Sequence, residues 1–310
     1  MTKLTRKRTI LVKIEVTEGT DPVPTGAANA ILISEPTIQP LAGGTVQRNT
    51  VKNTLGADAA IHVNTHVVVG FMCDIAGAGT VAVAPAYGPL LRMCGTAETI
   101  TPTTGPVEYD PVSTDGETGT IYFNVDGIRH ALLGARGNVS LTFPPNDIPR
   151  FEFTFTGLFV APTDTAAPAL TLGAFKDPLP VSKVNTPTFT LHGYAGVLES
   201  LSLNLGNQVE HRDRVGSARV LRTDRQGGGN VALELPTIAA KDFISIAKAN
   251  TLGALQLIHG VGAGNIIQID APAVQLTEPS YDDSQGITTL SAGLILTPNA
   301  GDDELKITVK

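Results

Sequence analysis

"VSLTFPPNDIPRFEFTFTGLFVAPTD", Val139 to Asp164, reads as two strands around a proline turn. Its second half alternates, with Phe151, Phe153 and Phe155 on one side and Glu152, Thr154 and Thr156 on the other. This is the period of a sheet with one buried face. The cadence returns near the C-terminus as "VQLTEPSYDDSQGITTLSAGLILTPNAGDD", Val274 to Asp303. At an offset of 135, Leu141 meets Leu276, Thr142 meets Thr277 and Pro144 meets Pro279. At 136, Gly157 meets Gly293, Leu158 meets Leu294 and Pro162 meets Pro298. An echo of this length predicts an internal duplication.

The wider pattern agrees. A chain of 310 residues suits two domains of ordinary size. Only 16% of residues are charged, Gly is 32, Pro is 21 and Trp is absent, a balance of short strands and turns. "RTILVKIEV" from Arg8 alternates as a half-buried strand, and further strands are expected at Ile61–Phe71, Thr120–Val125, Ala131–Ala135, Val139–Phe143 and Arg150–Val160. Two segments carry helical spacing. "PAYGPLLRMCG" places Tyr87, Leu90, Leu91 and Cys94 on one stripe with Gly95 as a stop. "TIAAKDFISIAKAN" places Ala239, Phe243, Ile246 and Ala247 likewise, with Thr237 as cap and Asn250 as stop. Upstream, Gly43 matches Gly206 at an offset of 163 and Gly127 matches Gly260 at 133, while the first copy carries a longer loop, Thr96–Gly119. Prolines 162, 168, 178, 180 and 187 mark the segment between the copies. The expected organisation is a flexible basic arm (1–9), a first domain (10–162), a Pro-rich linker (163–187) and a second domain (188–310). The expected fold is mainly β, with two tandem β-sandwich or partial-barrel domains and one α-helix in each.

Charge and motifs exclude several functions. A net charge of −7 and a pI near 5.4 argue against a protein that grips nucleic acid by its phosphates. Cys73 and Cys94 read as buried free thiols. No apolar run reaches the roughly 18 residues of a membrane span, and Lys13 and Glu15 interrupt any signal-like start. His62 and His66 lack the Glu of a zinc-binding helix, and on a strand they lie roughly 13 Å apart. "HRD", His211–Asp213, has no accompanying kinase motifs. The glycine groups at 77–79, 227–229 and 260–264 read as tight turns rather than phosphate cradles. Asp282, Asp283, Asp302, Asp303 and Glu304 lack calcium-loop spacing, and "NVS" at Asn138 is a glycosylation triplet, irrelevant if the chain is never secreted. No catalytic, cofactor-binding or metal residues are expected.

Five long stretches in order, "EGTDPVPTGAANAILI", "APAYGPLLRMCG", "RFEFTFTGLFVAPTD", "NTPTFTLHGYAGVLESLSLNLGN" and "AAKDFISIAKANTLGALQLIHG", carry a resemblance to bacteriophage major tail tube proteins. The similarity is to the long form with two tube domains in tandem, found in siphovirus-like and transposable phages. The resemblance implies a structural virion protein of the tail, made in the bacterial host cytoplasm, with no cofactor. It implies rings stacked helically around a tape-measure protein, a tail terminator and distal tail or baseplate proteins as further partners, and transient passage of double-stranded DNA. Two domains per chain would let a trimer form a pseudo-sixfold ring. The loops Gly43–Asn64 and Gly206–Asn230 are then expected to reach between rings. Their charges, Arg48 and Lys52 in the first and Arg212, Asp213, Arg214, Arg222, Asp224 and Arg225 in the second, would pair across that joint. The arm residues Lys3, Arg6, Lys7 and Arg8 suit either nucleic-acid binding or ordering against a neighbouring subunit, and their isolation in an acidic chain favours the second. A conduit wall should be neutral or weakly acidic so that DNA slides. The alternative is a secreted or surface β-sandwich binding module for carbohydrate, against which the absence of Trp and an aromatic content of 5% count.

Overall fold

The Phe stripe forms β9, and what surrounds it follows from burying that face. The structure, a computed structural model, describes residues 2–114 and 116–310. The first half contains β1 (Arg8–Ile14), β2 (Ala30–Ile31), β3 (Ser34–Val46), β4 (Ile61–Asp74), α1 (Gly88–Met93), β5 (Thr96–Ile100), β6 (Val107–Pro111), β7 (Gly119–Val125), β8 (Ile128–Phe143), β9 (Arg150–Phe159) and β10 (Thr163–Asp164). The second contains β11 (Thr188–Leu191), β12 (Leu198–Asn204), β13 (Asn207–Arg214), β14 (Ser217–Arg225), β15 (Gly228–Glu234), α2 (Phe243–Lys248), β16 (Gly253–His259), β17 (Ile267–Ser284), β18 (Ile287–Thr297) and β19 (Lys306–Val309).

The duplication is present in the strand order. Antiparallel pairing runs β1–β7–β8–β9–β4–β3 in the first half and β11–β16–β17–β18–β15–β12 in the second, with one short helix at the same place in each. The register of the opening echo differs, however. Val139 lies opposite Phe153, but Val274 lies opposite Leu296, where the repeat offsets would put Thr289. The cause is the turn. Prolines 144 and 145 end the first ladder, whereas Gln285 and Gly286, at φ 55° and 86°, make a two-residue turn that lets the second hairpin run further.

Other expectations are corrected in detail. Ala131–Ala135 and Val139–Phe143 are parts of one strand, β8, bent by a register shift at Gly134. β1 is not half-buried: Ile10 and Val12 enter the main core, while Leu11 enters a small second one with Ala30, Tyr122 and Ala131. Asp242, not Thr237, caps α2, its carboxylate accepting from the Ser245 amide at 2.9 Å. Gly95 and Asn250 do stop the helices, at φ 81° and 52°. The long first-copy loop contains the hairpin β5–β6, and the C-terminal strand β19 is held between β6 and β17. The 163–187 segment begins as β10 against β8 and later exchanges backbone bonds with the β8–β9 turn, Asn146 N to Val181 O at 3.1 Å and Val181 N to Asp147 O at 2.9 Å.

Phe151, Phe153 and Phe155 are buried against Phe71, with ring centroids of Phe71, Phe153 and Phe155 each 5.8 Å apart. Buried residues of both halves form one contiguous cluster. Cys73 and Cys94 lie in it as free thiols, and burial raises the Cys73 pKa to about 12. A second close approach joins the halves: a Cβ on Gly77 would sit 2.2 Å from the Gly264 carbonyl oxygen, and Gly79 N donates to that oxygen at 2.9 Å. His259, from β16, is buried beside Phe143 and bonds Thr186 Oγ1 through Nδ1 at 2.9 Å.

Burial holds the His259 pKa below the ordinary value of 6.5, so the folded chain keeps it neutral where the unfolded chain takes up a proton. Stability is therefore present above that value and is lost as pH falls, by at most about 1.4 kcal/mol per pH unit per proton. His130, His192 and His211 are shifted in the same direction. Urea unfolding at pH 7 and pH 5 is expected to give a lower midpoint at pH 5, and a smaller drop in His259→Gln. Equal drops in the two proteins would contradict the assignment.

Candidate assembly site

The two half-sheets meet in one ladder. β12 pairs with β15 on one side and with the end of β8 on the other, Leu201 opposite Phe143 and Asn204 opposite Ser140. Side chains reinforce the seam: Asn138 Nδ2 donates to Asn204 Oδ1 at 2.9 Å, and Asn207 N donates to Asn138 Oδ1 at 2.9 Å. The result is a continuous run of strands, β17–β18–β15–β12–β8–β9–β4–β3.

Two rows of directly opposed residues cross this sheet. Leu276, Leu294, Gly229, Leu203, Leu141, Phe151 and Cys73 form one, facing the core. The next row is Thr277, Gly293, Asn230, Ser202 and Thr142, followed by Arg150 and Asp74. Arg150 is paired with Asp74 at 3.2 Å, and Arg136, on the same face of β8 as Thr142, with Glu18 at 3.2 Å, so this face presents small polar groups and little free positive charge. Glu152 and Thr154 are exposed on it. Alternation along each strand thus separates a dry face from a wet one.

The run ends on two strand edges. β3 pairs only with β4, and residues 280–284 of β17 pair only with β18, among the described residues. By strand order β3 corresponds to β12 and β17 to β8. The two edges that meet inside the chain are therefore each left open once more at its ends.

The sequence-expected contact residues divide. Gly206–Asn230 is not a loop: β13 and β14 form a separate hairpin that packs across β8, β9 and β4, and Gly228–Asn230 are ladder residues of β15 rather than a turn. Gly206 makes the exit at φ 72°, where a Cβ would sit 1.9 Å from the Gln226 carbonyl oxygen. Arg212, Asp213 and Arg214 are exposed near the hairpin tip. Arg222 and Arg225 are not available to another chain. Arg225 donates to Val112 O at 2.9 Å and Asp302 at 2.7 Å and pairs with buried Glu304; Arg222 also bonds Val112 O. Burial, then Arg225 and Arg136, lowers the Arg222 pKa. Asp224 accepts from the Gln226 side chain at 2.8 Å. In the first hairpin Arg48 is exposed and Lys52 pairs with Asp58.

The arm is tied to its own chain. Lys3 Nζ donates to Asp126 O at 2.7 Å, Lys7 lies 3.6 Å from the Asp126 carboxylate, and Arg8, already within β1, donates to Pro36 O at 2.7 Å; Arg6 is exposed. His66 does not meet His62. Its ring packs against that of His211 at a tilt of 31° with centroids 5.0 Å apart, joining the two hairpins. The acidic groups at 302–304 serve as partners of Arg225 and of the Asn299 and Ala300 amides. Nothing in the sequence pointed to a seam at Asn138, Asn204 and Asn207; Asn138 stood out only as part of a glycosylation triplet, and asparagines beside glycine read as turns.

A family model described as phage tail tube protein matches residues 5–294. No curated protein matches the sequence. No helix among the described residues is long and apolar enough to cross a membrane.

The two classes of arginine separate experimentally. Arg225→Ala leaves Glu304 buried without its cation and is expected to cost roughly 3 kcal/mol. Arg212→Glu, at an exposed site, is expected to change stability by no more than about 0.5 kcal/mol. Chemical denaturation of the monomers checks both; a similar small effect for each would refute the division.

Proposed function

The chain belongs to the phage tail tube protein family, a structural component of the virion tail, and we propose that it polymerises through its open sheet edges into three-chain rings that stack as a hollow tube. The seam between β12 and β8 is the single observation that carries this reading. One chain already contains one tube-type joint, and its outer edges are the same two strands by topology. Pairing β3 of one chain with β17 of the next is head-to-tail, and such contacts form a ring if the rotation closes. Two tandem tube domains per chain then give six similar units from three chains. The pairing also covers amide groups that an isolated subunit leaves exposed.

The wet face of the sheet lines the tube in this reading. Its Thr, Ser, Asn and Gly rows, with Glu152 and Glu234, with Arg150 neutralised by Asp74 and Arg136 by Glu18, hold no cationic stripe that would retain phosphates. Double-stranded DNA therefore passes without being gripped. The tube assembles around a tape-measure protein, between a terminator at one end and distal tail proteins at the other. Both hairpin tips extend from the sheet and carry fully exposed apolar side chains, Val51 and Leu55 on the first and Val215 on the second. Such side chains fit contacts between successive rings, with Arg212 and Arg214 beside them.

Cryo-electron microscopy of assembled tubes tests the reading. Three chains per ring are expected, with Glu152 and Thr154 at the lumen. Arg212→Glu with Arg214→Glu is expected to shorten tubes several-fold while leaving monomer stability unchanged. Rings joined by another surface, or a lumen lined by Lys and Arg, would overturn it.

A further inference from the structure

The sequence contains two Glu-Pro dipeptides, and each sits on one of the two open edges: Ser34-Glu35-Pro36-Thr37 on β3 and Thr277-Glu278-Pro279-Ser280 on β17. Their structures match as closely as their sequences. In β3, Ser34 pairs with Met72 and Thr37 with Gly70, so Glu35 and Pro36 together oppose Phe71. In β17, Thr277 pairs with Gly293 and Ser280 with Ser291, so Glu278 and Pro279 together oppose Ala292. Both are two-against-one bulges. Both glutamates adopt left-handed backbone, φ 48° at Glu35 and 47° at Glu278. A non-glycine residue seldom does so. These positions lie at opposite ends of the chain and in non-equivalent strands, so the duplication does not explain the likeness.

We propose that the two Glu-Pro bulges are matched stops that confine the ladder between neighbouring copies of this chain to a three-residue window, Thr37–Gln39 against Ser280–Asp282. The inference rests on the edge-pairing reading above and specifies its register. A bulge leaves residues out of the ladder, and a proline supplies no N–H to a partner strand. On β3 a further bulge at Pro40 and Leu41 closes the window from the other side. The Pro36 carbonyl is also occupied, by Arg8 Nη1 at 2.7 Å. On β17 the window opens directly after Pro279 and runs toward the turn at Gln285.

The internal seam supplies the precedent. Its ladder with β8 begins at Leu201, just past the register shift at Glu199, and ends at Asn204, before Gly206 leaves the sheet at φ 72°. Short windows bounded by irregular backbone are thus how this chain makes such a joint. Face matching then fixes the register, because directly opposed residues share a face. Ile38 lies opposite core-facing Val69, and Tyr281 opposite core-facing Leu290. Tyr281 is nevertheless 57% exposed in the single chain. Placing Ile38 opposite Tyr281 covers that ring, sets Thr37 opposite Asp282 and Gln39 opposite Ser280, and brings the Pro40 and Pro279 bulges side by side. A one-residue slip would turn every side chain to the wrong face.

Cysteine pairs in the full-length chain, oxidised after tube assembly, test the proposal. Gln39→Cys with Ser280→Cys is expected to link chains into covalent trimers. The displaced pair Gln39→Cys with Asp282→Cys should link at least tenfold less. Adding Pro36→Ala, Pro40→Ala and Pro279→Ala should let the displaced pair link about as well as the matched one. Pro279→Ala alone should move the ratio part of the way, which serves if the triple change prevents folding. Glu278→Gly, which accepts the left-handed backbone without loss, should keep the single register. Cross-links confined to the matched pair despite the alanine changes would overturn the stops while leaving edge pairing intact. Tubes in which neither pair links would overturn edge pairing itself.

Discussion

Everything in this molecule depends on how the open edges of a β-sheet are satisfied. A strand edge exposes amide groups that bind water, another strand or the wrong partner. The chain answers once by joining β12 to β8, with Asn138, Asn204 and Asn207 bonded across the seam. Duplication makes that answer repeatable, because the strands left over at the ends belong to the same topological classes. A subunit of this kind is both a finished fold and an unfinished sheet.

The rest of the structure fixes the angle at which the two halves are presented. The core runs through both without interruption. Around its margin, Arg225 ties Val112 of the first half to Asp302 and Glu304 of the second, β19 bridges β6 and β17, and Gly77 meets Gly264 too closely for any side chain. In the proposed ring these contacts would set the rotation that each chain contributes, on which closure depends. A hinge between the halves would allow open helices or rings of mixed size. The 163–187 segment, bonded to β8 and to the β8–β9 turn, acts in the same sense.

Much of this was legible in the sequence because period and composition are local. The Phe151–Phe155 stripe, the two helix stops at Gly95 and Asn250, and the recurrence of one strand order could all be read from spacing. Register could not. The match of Val139 with Val274 failed because it depended on the chemistry of the following turn, where Pro144 and Pro145 differ from Gln285 and Gly286. The charged positions failed in another way. Arg222 and Arg225 alternate with polar neighbours as surface residues do, yet partners more than seventy residues away in sequence enclose them. Arg212 and Arg214, with the same local signature, stayed at the surface. Long-range pairing decides such cases, and one sequence holds no trace of it.

Hydrogen exchange at the Ile38 and Tyr281 amides, compared between free subunits and assembled tubes, tests the central claim most directly. In the free chain both strands are edges at these residues, and exchange should be fast wherever the amide points outward. In tubes the stretches Thr37–Gln39 and Ser280–Asp282 should become protected together, to a level approaching that of Leu201–Asn204, which is paired in both forms. Tubes in which the internal seam is protected while those two stretches still exchange as in the monomer would contradict the account.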